Sequence, residues 1–514
     1  MKNLKLVGGR VYGGTGWNPP KWHNSVLIRD GIIDNVDSID DSKISNEIIS
    51  IDNALALPGL CDAHMHLVVG GLSLRIPDLE GLKLQRVIAA LRNYIDSENA
   101  PKHGWVKAFN WQPWLCKLDA KTLDKVIPDR PLIVHNMDLH SCCCNSLALE
   151  KAGFGNDSQG FSPDIVECDE NGKPTGILKE EAVQRFHDVI PSPSSVEIEE
   201  AILTAQDYLL SLGITAISEV LQPNSDIIYR RLNDNGKLKL DVDAWLRLED
   251  WKPGMQPVDF GRRFRINTIK VFLDGSLGSR TAAMCEPYND KPNHSGILNY
   301  NDDELLRLLT PVVNCGWRLA VHAIGDSAVK QFCRIAKKLP RLKDITNRIE
   351  HVQVLPVEGA DIVAESSAVA SIQPVHLIDD QRWLEVSIGA ERCKRNAVWQ
   401  SLFNAGIPLA TGSDWPVASP DPRLNLHCAI NRCGFEEKPL ECCLISEALS
   451  PHIAIRAASY GWAVAAGLEK HRGAISAGQK ADLTVISGIS EDMKDWSDAK
   501  IEMTICDGEI VHRI

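Results

Sequence analysis

The chain has 514 residues, 44% of them hydrophobic, with 55 Lys and Arg against 68 Asp and Glu and a net charge of −13. That length corresponds to about two to four domains, and the apolar fraction excludes a disordered chain. Basic residues form no dense run, which speaks against a nucleic-acid partner and against docking on an anionic membrane.

The start, Met1-Lys2-Asn3-Leu4-Lys5-Leu6-Val7-Gly8-Gly9, has no apolar segment of signal-peptide length, and no later apolar run reaches about 18 residues. A cytoplasmic protein is the expectation. The 15 cysteines are scattered, and Cys142-Cys143-Cys144 is their only cluster. That spacing suits neither a zinc knuckle nor a disulfide framework, so reduced, mostly buried thiols are expected.

Residues 1–55 read as short strands. Leu4–Val7, Ser25–Ile28 and Ile32–Val36 are separated by glycine pairs and by Asp30-Gly31, a hairpin signal. Residues 465–514 repeat the texture, with Leu483–Ile486, then Ile501–Cys506 and Glu509–His512 around Asp507-Gly508. The two ends are expected to form one small β-sandwich. Two unrelated end caps are the alternative.

Residues 56–464 lie between. Leu60-Cys61-Asp62-Ala63-His64-Met65-His66 follows the break at Pro58-Gly59 and precedes Gly70-Gly71, and reads as strand one. A stretch from about 73 to 194, interrupted by Pro, Gly and polar residues, reads as an insertion. Then Ser194 and Glu197 make a capping box. Ile198, Ala201, Ile202, Ala205, Leu209 and Leu212 follow at helical spacing until Gly213.

Strand candidates come next at 214–218, 240–246, 268–273, 318–322, 348–352, 368–372 and 407–411, with helical stretches such as 303–313 and 327–338 between several of them. Eight strands alternating with helices predict an α/β fold, a TIM-type (β/α)8 barrel.

In such a barrel, chemistry gathers at the C-terminal ends of the strands. His64 and His66 are two apart and share a strand face. Lys270 lies within apolar strand four, His322 ends strand five, His351 ends strand six, and Asp414 follows strand eight. Each has an ordinary reading: a hydrogen-bonded histidine, a turn aspartate, a snorkelling lysine. Five strands placing such groups on one rim is less ordinary. Neutral imidazoles and carboxylates suit zinc and similar divalent ions. Glu350, next to His351, is expected to face the other side of its strand and to be structural.

Further motifs sharpen this. They are Gly104-Trp105-Val106, His140 with Asn145-Ser146-Leu147-Ala148-Leu149, Pro174-Thr175-Gly176-Ile177-Leu178, and Asp274-Gly275-Ser276-Leu277-Gly278-Ser279-Arg280-Thr281-Ala282. His322-Ala323-Ile324-Gly325-Asp326, Gln373-Pro374 with His376, and Gly412-Ser413-Asp414-Trp415-Pro416-Val417 complete the set. With the histidines and the lysine, nearly the whole chain resembles the amidohydrolase superfamily. The branch is amidohydrolase-3, which includes N-substituted formamide deformylase-like enzymes.

The resemblance implies two divalent ions, of the zinc type. His64, His66 and Asp414 would hold one, and His322 and His351 the other. Lys270 would bridge them as a CO2-derived carbamate, with Lys179, inside the insertion, as its rival. Asp414 would also shuttle the proton during cleavage of a non-peptide C–N bond in a small amide-type substrate. Trp111, His140 and Arg280 are candidates to face that substrate. The barrel and the terminal strands leave surface for a homodimer. Two other readings stand beside this one. A mononuclear deaminase-like member of the superfamily would differ in metal count. A non-catalytic scaffold would be expected to have lost ligands, whereas this chain keeps all six positions.

Overall fold

The eight expected strands are present, as Leu60–Met65, Ile214–Val220, Asp241–Arg247, Phe264–Phe272, Arg318–Ala323, Arg348–His351, Val369–Ile372 and Leu409–Thr411. In this computed structural model, which describes residues 3–37, 47–98, 100–136, 141–155, 157–163, 165–179, 181–342, 345–439 and 443–514, each pairs in parallel with the next. Apolar residues such as Ile217, Val242, Ile269, Val321, Ile349, Ala370 and Leu409 are buried along them, as expected of parallel strands covered on both faces. Strands one and eight meet over a short seam. There the Asp414 N–H donates to His64 O and the His66 N–H to Trp415 O, each at 2.7 Å. The seam lies at the C-terminal rim, where the candidate ligands are.

The strands of the two chain ends share one eight-stranded sheet. It is joined where Leu55–Pro58 runs antiparallel to Leu483–Ser487. Leu4, Leu6, Val26, Ile28, Leu483, Val485 and Ile505 contribute to its core. Both expected hairpins are there. Asp30 and Gly31 have φ of 47° and 78°, and Asp507 and Gly508 of 46° and 74°. This is the left-handed pair that a two-residue loop requires. The two ends are therefore not separate caps.

Val68–Ala205 forms a second compact unit. Its five-stranded sheet runs in the order Val166–Cys168, Pro174–Lys179, Ser141–Cys144, Leu132–Asn136, Val106–Trp111. Cys142, Cys143 and Cys144 are buried in it, and burial pushes all three thiols above the ordinary range. A buried, protonated thiol is a poor nucleophile. The capping box of the following helix is formed: Ser194 N–H donates to Glu197 Oε2 at 2.8 Å, and Glu197 N–H to Ser194 Oγ at 3.3 Å. Among the described residues no helix is long and apolar enough to cross a membrane.

One buried cation fastens the terminal sheet to the barrel. Arg472 Nη2 lies 2.7 Å from Asp241 Oδ2 at the start of strand three and 3.2 Å from Asp507 Oδ1, while Nη1 donates to Asp482. Removing one member of a buried ionic cluster leaves the others uncompensated. Arg472→Met is expected to cost about 3–5 kcal/mol, read as a lower urea midpoint by tryptophan fluorescence.

Candidate metal centre

Strand one delivers His64, with 1% of its side chain exposed, to the barrel interior. Its Nδ1 lies 2.8 Å from Glu350 Oε2. That contact turns Nε2 toward the rim, 3.0 Å from Lys270 Nζ and 3.6 Å from Asp414 Oδ1. His66, just past the strand, places Nε2 3.1 Å from the same Asp414 oxygen. The ligand atoms of His64, His66 and Asp414 all lie within 4.8 Å of one another. The imidazoles of His322 and His351 are adjacent, 4.5 Å between centroids, and the His351 ring is 5.1 Å from that of His64. Lys270, 1% exposed, lies in the wall between strands three and five.

The chain conformation explains how Glu350 and His351, neighbours in sequence, both serve the interior. His351 has φ of 73° and Val352 of 46°, and the Val352 N–H donates back to Glu350 O at 3.0 Å. This tight turn breaks the alternation of an extended strand. Asp414 is likewise left-handed, with φ of 59°. Left-handed backbone is costly for His and Val and cheaper for Asp.

Electrostatics suit a cation. Burial holds His64 down to about 4, assisted by Lys270, and His322 down to about 3. At neutral pH these rings are uncharged and carry a free lone pair. Asp414 is held well below the carboxylate range, because His64, His66 and His351 outweigh its burial. Its Oδ1 is buried and makes no hydrogen bond among the described residues. An ionised oxygen placed so beside the neutral His64 ring, with the His66 ring 3.1 Å away, is what a divalent cation would satisfy. The donor set fits the implied metal.

The amidohydrolase family model matches residues 47–512. The chain belongs to the amidohydrolase family. It is therefore an enzyme that hydrolyses carbon–nitrogen bonds other than peptide bonds. Over 517 residues the chain is 30% identical to the putative amidohydrolase YtcJ of Bacillus subtilis, covering 95% of this chain and 96% of that one. It is 24% identical to N-substituted formamide deformylase of Arthrobacter pascens, covering 86% and 84% of the two chains. An uncharacterized metal-dependent hydrolase from Pyrococcus horikoshii superposes with a TM-score of 0.80 at 25% identity, covering 99% of this chain and 100% of that one.

Within this amidohydrolase, six of the expected residues gather: His64, His66, Lys270, His322, His351 and Asp414. Of the other candidates, Trp111 and Arg280 are committed to local contacts. Trp111 is 1% exposed in the core of the second unit, its indole N–H donating to Cys116 O at 2.7 Å. The Arg280 guanidinium is committed locally, with Nη2 2.6 Å from Asp290 Oδ2 and Nη1 donating to Leu277 O and Gly278 O. Both are thus occupied by structural contacts. His140 lies outside the described residues. Lys179 is exposed at a strand end in the second unit.

The expectation for Glu350 is corrected. It is fully buried inside the barrel against His64, and Arg348 holds it from two positions away. Opposition from His64, Lys270 and above all Arg348 overcomes its burial and brings its carboxyl down to about 2. The clue in the sequence was the Arg348-x-Glu350 spacing, two charges on one face of an otherwise buried strand. Asp62 was also missed. It accepts hydrogen bonds from the Ser413 N–H and from the His64 N–H, at 3.1 and 3.0 Å, and so ties strand one to the loop carrying Asp414.

Carboxylates behind a ligating histidine set its tautomer and tilt. Glu350→Gln is expected to weaken divalent-cation affinity by about 10–100-fold, measured by competition with a chelator, with the far-ultraviolet spectrum unchanged.

Proposed function

We propose that this amidohydrolase is a two-metal hydrolase of small amide-type substrates. His64, His66 and Asp414 would hold one divalent cation, and His322 and His351 a second. Lys270 would join them once CO2 has converted its amine to a carbamate. An ammonium has three donors and no lone pair, so an unmodified charged lysine could not act as a ligand. The observation that carries the reading is the buried Asp414 Oδ1, 3.1 Å from His66 Nε2 and 3.6 Å from His64 Nε2, with Lys270 Nζ 3.0 Å from His64 Nε2. Donors of this kind suit zinc. When bound, such cations supply Lewis acidity toward a carbonyl and bring the pKa of water to about 7.

The chain's own residues then divide the work. Asp414 is ionised at neutral pH, so its carboxylate accepts the proton of the attacking water. It passes that proton to the leaving nitrogen as the C–N bond breaks. His322 Nε2 lies 3.1 Å from Gly275 O, which leaves Nδ1 with the lone pair. Burial lowers Lys270 to about 8, which brings its neutral, CO2-reactive amine within reach of mildly alkaline pH.

A one-cation, deaminase-like reading has one observation in its favour. Among the described residues, His64, His66 and Asp414 form the one group of three His, Cys, Asp or Glu ligands. Metal analysis separates the readings: two ions per chain for the first, one for the second.

The direct test is hydrolysis of formamides, N-acyl amino acids and cyclic amides by metal-loaded protein, with and without bicarbonate. Activity that rises with bicarbonate supports the carbamate. Asp414→Asn is expected to retain most bound metal while turnover falls roughly a hundred- to ten-thousand-fold. Wild-type turnover in that variant would remove Asp414 from the proton path.

A further inference from the structure

One large apolar side chain stands in the open beside the ligand set. Phe272, the last residue of strand four, is 36% exposed. Strand residues two apart share a face, so Phe272 lies on the same side as Lys270, about 6.6 Å nearer the C-terminal end. Its register partner on strand five is His322. The contacts agree with that placement. The Phe272 ring centroid is 4.9 Å from Lys270 Nζ and 5.6 Å from the His322 ring. Lys270 is buried and Phe272 is not, so the aromatic ring is the outer layer of this part of the barrel wall.

The backbone under the ring is held on both sides. The Leu273 N–H donates to His322 O at 3.1 Å, and the Asn299 N–H to Leu273 O at 2.8 Å. Asn299 Nδ2 donates to Phe272 O at 2.9 Å. The ring therefore projects from a fixed strand end. The segment that fixes it also exposes Ile297 and Leu298, so Phe272 is not the lone apolar group of this loop.

A single exposed apolar side chain on an ordinary surface means little. Position gives this one meaning, because it touches two members of the ligand set. An amide that reaches His322 and Lys270 brings a substituent of a few carbons within contact of the ring. The aromatic face offers no ordinary hydrogen bond, so a charged substituent laid on it would give up hydration without return. A hydrocarbon substituent loses nothing polar, and it takes both its own surface and that of the ring out of water.

We propose that Phe272 is a specificity-determining residue that packs against a hydrocarbon substituent of the substrate beside His322. This deepens the amide-hydrolase reading and rests on it. The substrate class is then amides that carry an alkyl or aryl group close to the scissile bond, in preference to amides with a charged group there.

The test reads binding. Full-length, metal-loaded protein is titrated with two series of amides, followed by ligand-observed NMR. One series lengthens the nitrogen substituent, from N-methylformamide to N-butylformamide. The other lengthens the acyl chain, from N-methylformamide to N-methylpentanamide. Hydrolysis of any member appears in the same spectra. At least one series is expected to gain about tenfold or more in affinity from first member to last. Phe272→Ala is expected to flatten that gain, and Phe272→Leu, which keeps apolar surface, to restore most of it. Bound metal and melting temperature are expected to stay near wild-type values in both variants. A ring that served only to hold His322 would act the other way: Phe272→Ala would lose metal in competition with a chelator and keep the gain. Flat series in the wild type, or an unchanged gain in Phe272→Ala, would overturn the proposal. Failure of every amide to be hydrolysed would strike the functional reading and leave the binding result standing.

Discussion

The ion pair between Arg348 and Glu350, sealed inside the barrel, is the contact on which the rest depends. A buried pair is stable only when further hydrogen bonds satisfy both partners. Here they do. Arg348 Nη2 donates to Ala63 O at 2.6 Å and to Ser371 Oγ at 2.8 Å, and its guanidinium stacks 4.6 Å from the Trp245 ring. Those contacts tie strand six to strands one, seven and three. Glu350 then hands the fixed position on to His64. The polar layer under the rim thus converts the packing of four strands into the orientation of one imidazole.

The rim itself is shaped by backbone that is costly to make. Two consecutive left-handed residues, His351 and Val352, and a third, Asp414, bend the chain just where strands six and eight end. Such geometry persists only where surrounding bonds over-determine it. At Asp414 those bonds are its N–H to His64 O at 2.7 Å and the Val417 N–H to its own carbonyl at 2.9 Å. The seam that brings strands one and eight together therefore also fixes Asp414.

The barrel was legible because buried parallel strands are short apolar runs punctuated by Gly and Pro, and because the helices between them keep their own period. The six residues that gather at the rim were legible because polar groups at the ends of apolar strands stand out. Glu350 escaped because the alternation rule assumes two successive extended residues, and His351 is not extended. The union of the chain ends in one sheet was only an expectation. Leu57 pairs with Thr484, hundreds of residues away, and hydropathy carries no information on such partners. Trp111 and Arg280 mark the limit of residue type: an indole packed in a core and a guanidinium held by Asp290 serve structure as readily as they could face a substrate.

Charge accounting at the rim links Lys270 to the rest. Burial keeps His64, His322 and His351 neutral, so they contribute lone pairs and no charge. Glu350 is already balanced by Arg348. Asp414 therefore stands as the anion facing His64 and His66, and Lys270, 3.0 Å from His64, as the nearby cation-forming group. An ammonium there would compete with any divalent ion for the field of Asp414 and would repel it. Cation binding and loss of the Lys270 proton are consequently one linked equilibrium, since ligands bind metals in their deprotonated forms. Burial has already shifted that equilibrium by lowering Lys270 to about 8. The low-dielectric barrel wall thus acts twice: it keeps the imidazoles free to ligate, and it weakens the one positive charge that would oppose a metal.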